Sequence, residues 1–327
     1  MREVPDIPLK PWTPPKYAVD ANGKVIGAKP GLYHNWSRWG EQDQLGTANL
    51  LTPELAVAAA GLVHRGDLFS LALPIGRNFE GPGTRPNMLH AFMSTTADVV
   101  VGDAGDFGLP ISDDLVVLPL QGSTQLDGLG HFSRDGVLYN GYWAGLVTSA
   151  KGARRLGVHW QSNGIIGRGV LLDVARVLGT DAFESTISAE MLQYVADEEK
   201  VSVGTGDIVL IRTGFVGTWL ARSDLRKRKK QSGLTLDTIQ WFHGRDVAMV
   251  ASDNGAVESV PGNPAFPVGS WHAAALCDLG LLVGELFDLD ELSLDCERDG
   301  VYEFMFMAAP LPIINAVGSP LNPMVLK

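Results

Sequence analysis

The sequence predicts an α/β or α+β domain in which helices surround a mixed sheet. Short apolar runs that follow glycines are typical of buried strands, and capped segments between them are typical of helices. The two kinds of element do not alternate strictly, which argues against a purely doubly wound sheet. The 327 residues contain no repeat and no Ser/Gly linker. We therefore expect one domain over residues 41–327, preceded by an extended arm, residues 1–40, rich in Pro, Lys and Trp.

Four helices are predicted from their capping residues and apolar spacing. The first begins after Thr52, with Pro53 at the first helical position, and extends to about residue 63. The others cover residues 188–199, with Ser188 as N-cap, residues 236–245, and residues 270–276, where Ser270 is the expected cap and Gly280 ends the helix.

Seven strands are predicted from short apolar runs, which are typical of buried strands. In chain order they cover residues 67–73, 96–101, 114–120, 169–173, 207–212, 247–251 and 281–286. Residues 288–292 are then expected to open a short acidic turn.

Composition narrows the classes of function. Hydrophobic residues make up 45% of the chain and charged residues 19%, an ordinary globular balance. The net charge of −11 argues against a nucleic-acid partner, and no apolar run is long enough to cross a bilayer. The N-terminus lacks the apolar core of a secretory signal, and Cys277 and Cys296 fit reduced thiols. We expect a cytoplasmic protein that acts on a small molecule.

The segment from Gln121 to His131 concentrates polar side chains at the end of a predicted strand. Because strand side chains alternate between faces, Gln121, Gln125 and Asp127 point the same way. Two glycines then let the chain turn and present His131 near them. Such convergence is more typical of a functional site than of a core.

Two further polar residues occur in apolar surroundings. His272 lies early in a predicted helix, and Glu285 lies inside a predicted strand. A buried Glu285 needs a partner, and a metal ion or an arginine would serve equally well. Taken alone, His272 is more typical of a core histidine, and Asp127 of a turn aspartate that caps its own backbone. Serine-hydrolase, Walker A, zinc-protease and C-x-x-C signatures are absent from the sequence.

A Gly/Pro-rich loop over residues 76–87 contains Arg77 and Arg85. Loops of this length are often functional. Arg77 could hold a substrate carboxylate, although a structural salt bridge is an equally good interpretation of one loop arginine.

Taken together, these residues resemble the metal-dependent cyclase family, which includes bacterial kynurenine formamidase and isatin hydrolase. The family motif H-x-G-T-H-x-D-x-P-x-H corresponds here to Gln121-x-Ser-Thr-Gln125-x-Asp127-x-Leu-x-His131. Similar passages extend over most of the chain: Trp39-Gly-Glu-Gln-Asp43, Gly46-Thr-Ala-Asn49, Gly169-Val-Leu-Leu-Asp173, Gly206-Asp-Ile-Val-Leu210, Trp271-His272 through Gly284-Glu285, and Ala316 to Pro323.

The resemblance implies a swivelling β/β/α fold and hydrolysis of amide or lactam bonds with one or two divalent ions. It assigns the motif aspartate to Asp127 and the last motif histidine to His131, with His272 and Glu285 as the later pair. It also implies an oligomer, a homodimer or homotetramer, and residues 11–39 are the segment expected to reach a neighbouring subunit.

The chain departs from the motif at two positions, because Gln121 and Gln125 replace the first-site histidines. An amide oxygen is a harder and weaker ligand than imidazole. The metal ligands expected here are therefore Asp127, His131, His272 and Glu285, which could hold one Mn²⁺ or Zn²⁺ and leave a water position open. The glutamines would then bind the substrate or the water. Alternatively, the metal has been lost and His131 works as acid or base alone.

Three functions follow from this set of residues. The first is a metal-dependent hydrolase of an amide, formamide or lactam C–N bond, similar to an arylformamidase, with His131 and Asp127 as catalytic residues. The second is a metal-free lyase, dehydratase or cyclase in which His131 and Asp127 transfer protons and the glutamines stabilise an enolate-like oxygen. The third is a relative that binds a ligand in the same pocket without catalysis.

Overall fold

The computed structural model describes residues 17–76, 85–103, 109–222, 224, 230–261 and 267–327. The strands in this part of the chain are β1 (Leu68–Ser70), β2 (Leu89–Ser94), β3 (Asp113–Val117), β4 (Gln125–Asp127), β5 (Val147–Thr148), β6 (Gly152–Ala153), β7 (Ile165–Leu172), β8 (Thr186–Ile187), β9 (Ile208–Ile211), β10 (Gly233–Leu234), β11 (Met249–Ser252), β12 (Leu282–Glu285), β13 (Glu303–Ala308), β14 (Gly318–Pro320) and β15 (Met324–Leu326).

The helices in the same ranges are α1 (Pro53–Ala60), α2 (Thr96–Val101), α3 (Val174–Leu178), α4 (Ala189–Glu198), α5 (Phe215–Ala221), α6 (Thr238–Gly244), α7 (Ser270–His272) and α8 (Asp290–Asp299). Helix α7 continues directly into a π-helical segment, Ala273–Leu279. No helix in the described ranges is long and apolar enough to cross a membrane.

Nine of the strands form one mixed sheet in the order β1-β15-β13-β7-β9-β11-β12-β4-β14. The central strands β7, β9, β11 and β12 are parallel to one another. Antiparallel strands flank them, with β13 on one side and β4 on the other. This arrangement confirms the predicted α/β class with a mixed sheet and surrounding helices.

The central strands are apolar throughout because both faces of the sheet are covered. In β9, Val209 and Ile211 pack into the core on the side of α4 and α6, whereas Ile208 and Leu210 pack into the core on the side of α8. Alternate residues thus enter opposite cores, which explains why the run lacks the polar alternation of a half-exposed strand.

The helix predictions are confirmed, with small shifts at their ends. Thr52 caps α1 through its side chain, and Ser188 caps α4. Gly280 ends the helix that carries His272, in a left-handed conformation with φ +61°. The predicted cap Ser270 is wrong, since Gly269 is the N-cap and the Ser270 hydroxyl donates back to the carbonyl oxygen of Pro267 over 2.6 Å.

Three other predictions are wrong. Residues 96–101 form helix α2, because the Asp98 carboxylate accepts the Thr95 backbone N–H over 2.6 Å and fixes a helix start. The strand predicted at 114–120 is not buried, since β3 pairs only with β2 in an exposed hairpin. The acidic turn at 288–292 leads instead into α8, whose first turn carries Asp290 and Glu291 at its positive end.

The described part of the N-terminal arm packs on the domain near the helix of His272. The Asn35 amide donates to the carbonyl oxygen of Leu279 over 2.9 Å. The Trp36 indole donates to the carbonyl oxygen of Cys277 over 2.6 Å. These bonds attach the arm to the π-helical segment behind the candidate site.

Candidate metal centre

Two antiparallel strands carry the acidic part of the site. The register of β4 and β12 places Gln125 opposite Glu285 and Asp127 opposite Val283. Because side chains two residues apart on a strand share a face, Gln125, Asp127 and Glu285 project from the same side of the sheet. All three are buried.

His272 reaches the same face from helix α7. Its Nε2 lies 3.2 Å from Oε1 of Glu285 and 3.9 Å from Oδ2 of Asp127. One candidate ligand atom from each of Asp127, His272 and Glu285 lies within 4.8 Å of the other two. A single metal ion could bridge three groups at this spacing. We call these three residues the acidic triad.

Asp127 is the member of the triad whose carboxylate is buried without a hydrogen bond from the described residues. It is only 1% exposed, and neither of its carboxylate oxygens has a hydrogen-bond partner among the described residues. Burial and then the negative charge of Glu285 raise its pKa well above the usual range. A buried carboxylate without a partner is strongly unfavourable, and a cation would satisfy both oxygens. The donor set therefore fits a metal ion.

His131 lies on the more open side of Asp127. Its Nε2 is 3.8 Å from Oδ1 of Asp127, and its side chain is 25% exposed. The His131 backbone N–H donates to the carbonyl oxygen of Gly128 over 2.8 Å, which closes the glycine-containing turn. Burial lowers the pKa of His131, so the imidazole is neutral near pH 7. It can accept a proton there or serve as a further ligand.

The two glutamines occupy different environments. Gln125 donates from Nε2 to Oε2 of Glu285 over 2.5 Å, and this fixes the amide because a carboxylate can only accept. Within the described chain, the Gln125 Oε1 atom has no hydrogen-bond partner, and neither has the buried Nε2 of Gln121. Gln121 lies against β14, since a Cβ on Gly318 would come within 2.4 Å of its Nε2. Arg77, the third predicted substrate-binding residue, lies outside the described residues.

The structure adds an acid that the sequence analysis missed. Oε1 of Glu258 lies 2.7 Å from Nδ1 of His272 and accepts the Gly269 backbone N–H over 2.9 Å. A proton on Nδ1 is required for the first contact, so Nε2 is the ring nitrogen left to face Asp127 and Glu285. Glu258 is thus a positioning residue for His272. No local sequence pattern marks Glu258, since it lies far along the chain from the N-cap Gly269 whose backbone N–H it accepts.

The acidic surroundings control the protonation of His272. Burial disfavours the imidazolium, but the hydrogen bonds to Glu258 and Glu285 outweigh it and raise the pKa of His272 to about 10. A proton on Nε2 would occupy the position at which a metal ion would bind. Proton and metal ion therefore compete for this atom.

Comparison with known proteins supports one family. A family model described as cyclase matches residues 69–259. A crystal structure described as a novel cyclase is 40% identical, covers 90% of this chain and 100% of its own, and superimposes with a TM-score of 0.83. A comparison with curated proteins finds no match.

More distant structures share the fold. Isatin hydrolase A from Labrenzia aggregata, bound to benzyl benzoate, is 16% identical over 82% of this chain and 94% of its own, with a TM-score of 0.58. Isatin hydrolase A from Ralstonia solanacearum is 18% identical over 84% of this chain and 97% of its own, with a TM-score of 0.57.

Proposed function

Because the chain belongs to the cyclase family, we propose that it is a metal-dependent hydrolase of an amide, formamide or lactam C–N bond in a small metabolite. The observation that carries this proposal is the buried Asp127 carboxylate, whose two oxygens have no hydrogen-bond partner in the described ranges. They lie beside His272 and Glu285. The fold shared with two isatin hydrolases supports the same class of substrate.

The acidic triad would hold the ion, which we propose to be Mn²⁺ or Zn²⁺. A divalent ion supplies Lewis acidity that polarises a carbonyl group and brings the pKa of a water molecule toward about 7. Glu258 keeps the Nδ1 side of His272 engaged, so the Nε2 lone pair is directed at the triad. Gln125 holds Glu285 in place through its amide hydrogen bond.

His131 is the residue placed to move a proton. Its imidazole is neutral near pH 7 because burial lowers its pKa, and it is the more exposed neighbour of Asp127. It can take a proton from the attacking water at Nε2 and return it to the leaving nitrogen. A group with a pKa near or below neutrality is suited to both steps.

Gln125 favours this reaction over metal-free lyase chemistry. In the lyase alternative, Gln121 and Gln125 would donate hydrogen bonds to an enolate-like oxygen. The Gln125 amide nitrogen instead donates to Glu285, and its oxygen, an acceptor, is the atom without a partner in the described chain. An available acceptor fits a cation better than an oxyanion. A cytoplasmic location and a homodimer or homotetramer remain part of the proposal.

Metal binding by single variants tests the proposal. Protein stripped with a chelator is dialysed against Mn²⁺ or Zn²⁺, and bound metal is measured by elemental analysis. We expect about one ion per chain in the wild type and none in His272→Ala or Glu285→Gln, since removing one donor of three leaves an incomplete site. Hydrolysis of small formanilides and lactams is then followed with the loaded protein.

Two matched variants serve as controls. Glu303 lies on β13 of the same sheet and pairs with Arg168 over 2.7 Å, so Glu303→Gln should keep the metal. His243, on α6, should likewise tolerate substitution by alanine, since its ring lies against Tyr33 and its one hydrogen bond among the described residues is with the carbonyl oxygen of His34, at 3.3 Å. Failure of the wild type to bind either ion, or full metal content in Glu285→Gln, would contradict the proposal.

A further inference from the structure

The two acids that contact the His272 ring each lie next to a residue with a left-handed backbone. Val257, directly before Glu258, has φ +54°, and Leu286, directly after Glu285, has φ +58°. Bulky and β-branched residues rarely adopt this conformation, because the Cβ atom then crowds a backbone carbonyl oxygen. Both residues are buried. Such a backbone persists only where its surroundings hold it in place.

Asn254 contacts both of these positions. Its Oδ1 accepts the Val257 backbone N–H over 2.7 Å, and its backbone carbonyl oxygen accepts the Leu286 N–H over 2.9 Å. Its Nδ2 donates to the carbonyl oxygen of Ser232 over 2.5 Å, which fixes the orientation of the amide. Asn254 is completely buried, so bulk water does not replace these bonds when one of them is lost. One buried residue thus joins the two left-handed turns.

We propose that Asn254 is a positioning residue, which sets Glu258 and Glu285 on the two sides of the His272 ring. Glu258 lies 2.7 Å from Nδ1, and Glu285 lies 3.2 Å from Nε2. The placement of the two acids therefore decides the direction in which the Nε2 lone pair points. The inference rests on the proposed function, because it concerns the ring that would bind the ion.

Loss of the Asn254 side chain acts first on the turn before Glu258. The Val257 N–H would be left buried without an acceptor, which is costly enough to move the turn. That turn is tight, since the Glu258 N–H donates to the carbonyl oxygen two residues back. The Glu258 carboxylate is attached at its other end to the start of α7, where it accepts the Gly269 N–H. A shift of the turn therefore changes the hydrogen bond at Nδ1 of His272.

The ¹⁵N NMR spectrum of the full-length, metal-free protein tests the positioning directly. The shift of each ring nitrogen reports its hydrogen bond, and His272→Ala identifies the signals. We expect Asn254→Ala to move the Nδ1 signal of His272 more than the Nε2 signal, since the lost side chain holds the side of Glu258. Asn254→Ser keeps an oxygen within reach of the residue three positions on, as Ser188 does in α4. It should move the same signal by less.

Titration calorimetry with Mn²⁺ gives a second readout. Asn254→Ala should weaken Mn²⁺ binding about tenfold, and Asn254→Ser about threefold, because residues that orient a metal-binding histidine have effects of this order. Asn140→Ala is the matched control. It removes another buried asparagine whose Oδ1 accepts a backbone N–H, that of Ser37 over 3.0 Å. It should change neither the His272 signals nor the Mn²⁺ affinity.

A purely structural role for Asn254 predicts a different result. Wild-type His272 signals and wild-type Mn²⁺ affinity, in whichever of Asn254→Ala and Asn254→Ser folds, would overturn the positioning role even if urea denaturation shows lower stability. Equal changes in Asn140→Ala would overturn it as well. A wild-type chain that binds no Mn²⁺ loses the proposed function, and the signals of the metal-free protein still decide the role of Asn254.

Discussion

Two buried aspartates should respond in opposite ways to the same substitution. Asp127 is buried with no hydrogen-bond partner among the described residues. Asp253, which follows β11 of the same sheet, is completely buried and accepts three hydrogen bonds: from the Thr213 backbone N–H and hydroxyl, each over 2.7 Å, and from the Gly214 backbone N–H over 2.8 Å. In metal-free protein, Asp127→Asn should stabilise the fold, and Asp253→Asn should destabilise it.

The magnitudes follow from what each carboxylate contacts. Burial and repulsion from Glu285 disfavour the Asp127 charge more than the nearby His272 favours it. Removing that charge should therefore raise the free energy of unfolding by about 1–2 kcal/mol. Replacing one oxygen of Asp253 by an NH₂ group places a donor against a group that already donates and removes the charge from the remaining bonds. This should lower the free energy of unfolding by about 2–4 kcal/mol.

Urea denaturation in the presence of a chelator measures both effects near pH 7. Added Mn²⁺ provides a second measurement, because a ligand that binds only the folded state raises stability. The ion should stabilise the wild type and Asp253→Asn, but not Asp127→Asn. The reasoning is refuted if Asp127→Asn destabilises the metal-free protein as much as Asp253→Asn does. The Asp127 charge would then be stabilised by the folded protein, contrary to its burial without a hydrogen bond.

Two further predictions concern the rest of the fold. Gly46→Ala should destabilise the protein by several kcal/mol more than Gly27→Ala, which should cost about 1 kcal/mol by urea denaturation. Both glycines have positive φ, but a Cβ at Gly46 would lie 2.1 Å from the carbonyl oxygen of Gly280, whereas nothing lies within 4 Å at Gly27. Burial raises the pKa of Glu199 to about 7, so between about pH 4.5 and pH 7 the folded state keeps a proton that the unfolded state loses. The free energy of unfolding should therefore fall as the pH rises through this range, by at most about 1.4 kcal/mol per pH unit. Glu199→Gln should flatten this slope. Glu190→Gln, at an exposed position in the first turn of α4, the helix that Glu199 follows, should not.

Features encoded in consecutive residues could be predicted from the sequence. The caps Thr52 and Ser188 act through side chain to backbone bonds three residues away, so the local pattern contains the whole interaction. Strands β9, β11 and β12 could be predicted as apolar runs because both faces of the central sheet are buried, so nearly every residue in them is apolar. The same logic placed Gln125 and Asp127 on one face, which the register of β4 bears out.

Features that depend on distant contacts could not be predicted in the same way. The valines at 99–101 favour a strand by propensity. A helix begins there instead, because the Thr95 backbone N–H donates a hydrogen bond to the Asp98 carboxylate. The apolar part of β3 lies in an exposed hairpin, because β3 pairs with β2 in a two-stranded sheet separate from the main one. Glu258 is joined to His272 across 14 residues of sequence. No spacing rule connects the two.

The donor atoms of the site also bear on which ion it would prefer. The family motif cited above offers imidazoles at positions 121 and 125, whereas this chain offers amides. Gln125 gives its nitrogen to Glu285, which leaves its oxygen as the free group. With Asp127, Glu285 and this oxygen, the nearby donors are mostly oxygen, and His272 is the one nitrogen within the triad. Oxygen-rich sets suit Mn²⁺ better than histidine-rich sets do, although Zn²⁺ keeps the greater intrinsic affinity. The exchange of histidine for glutamine is thus compatible with retained metal chemistry, with the balance shifted from Zn²⁺ toward Mn²⁺.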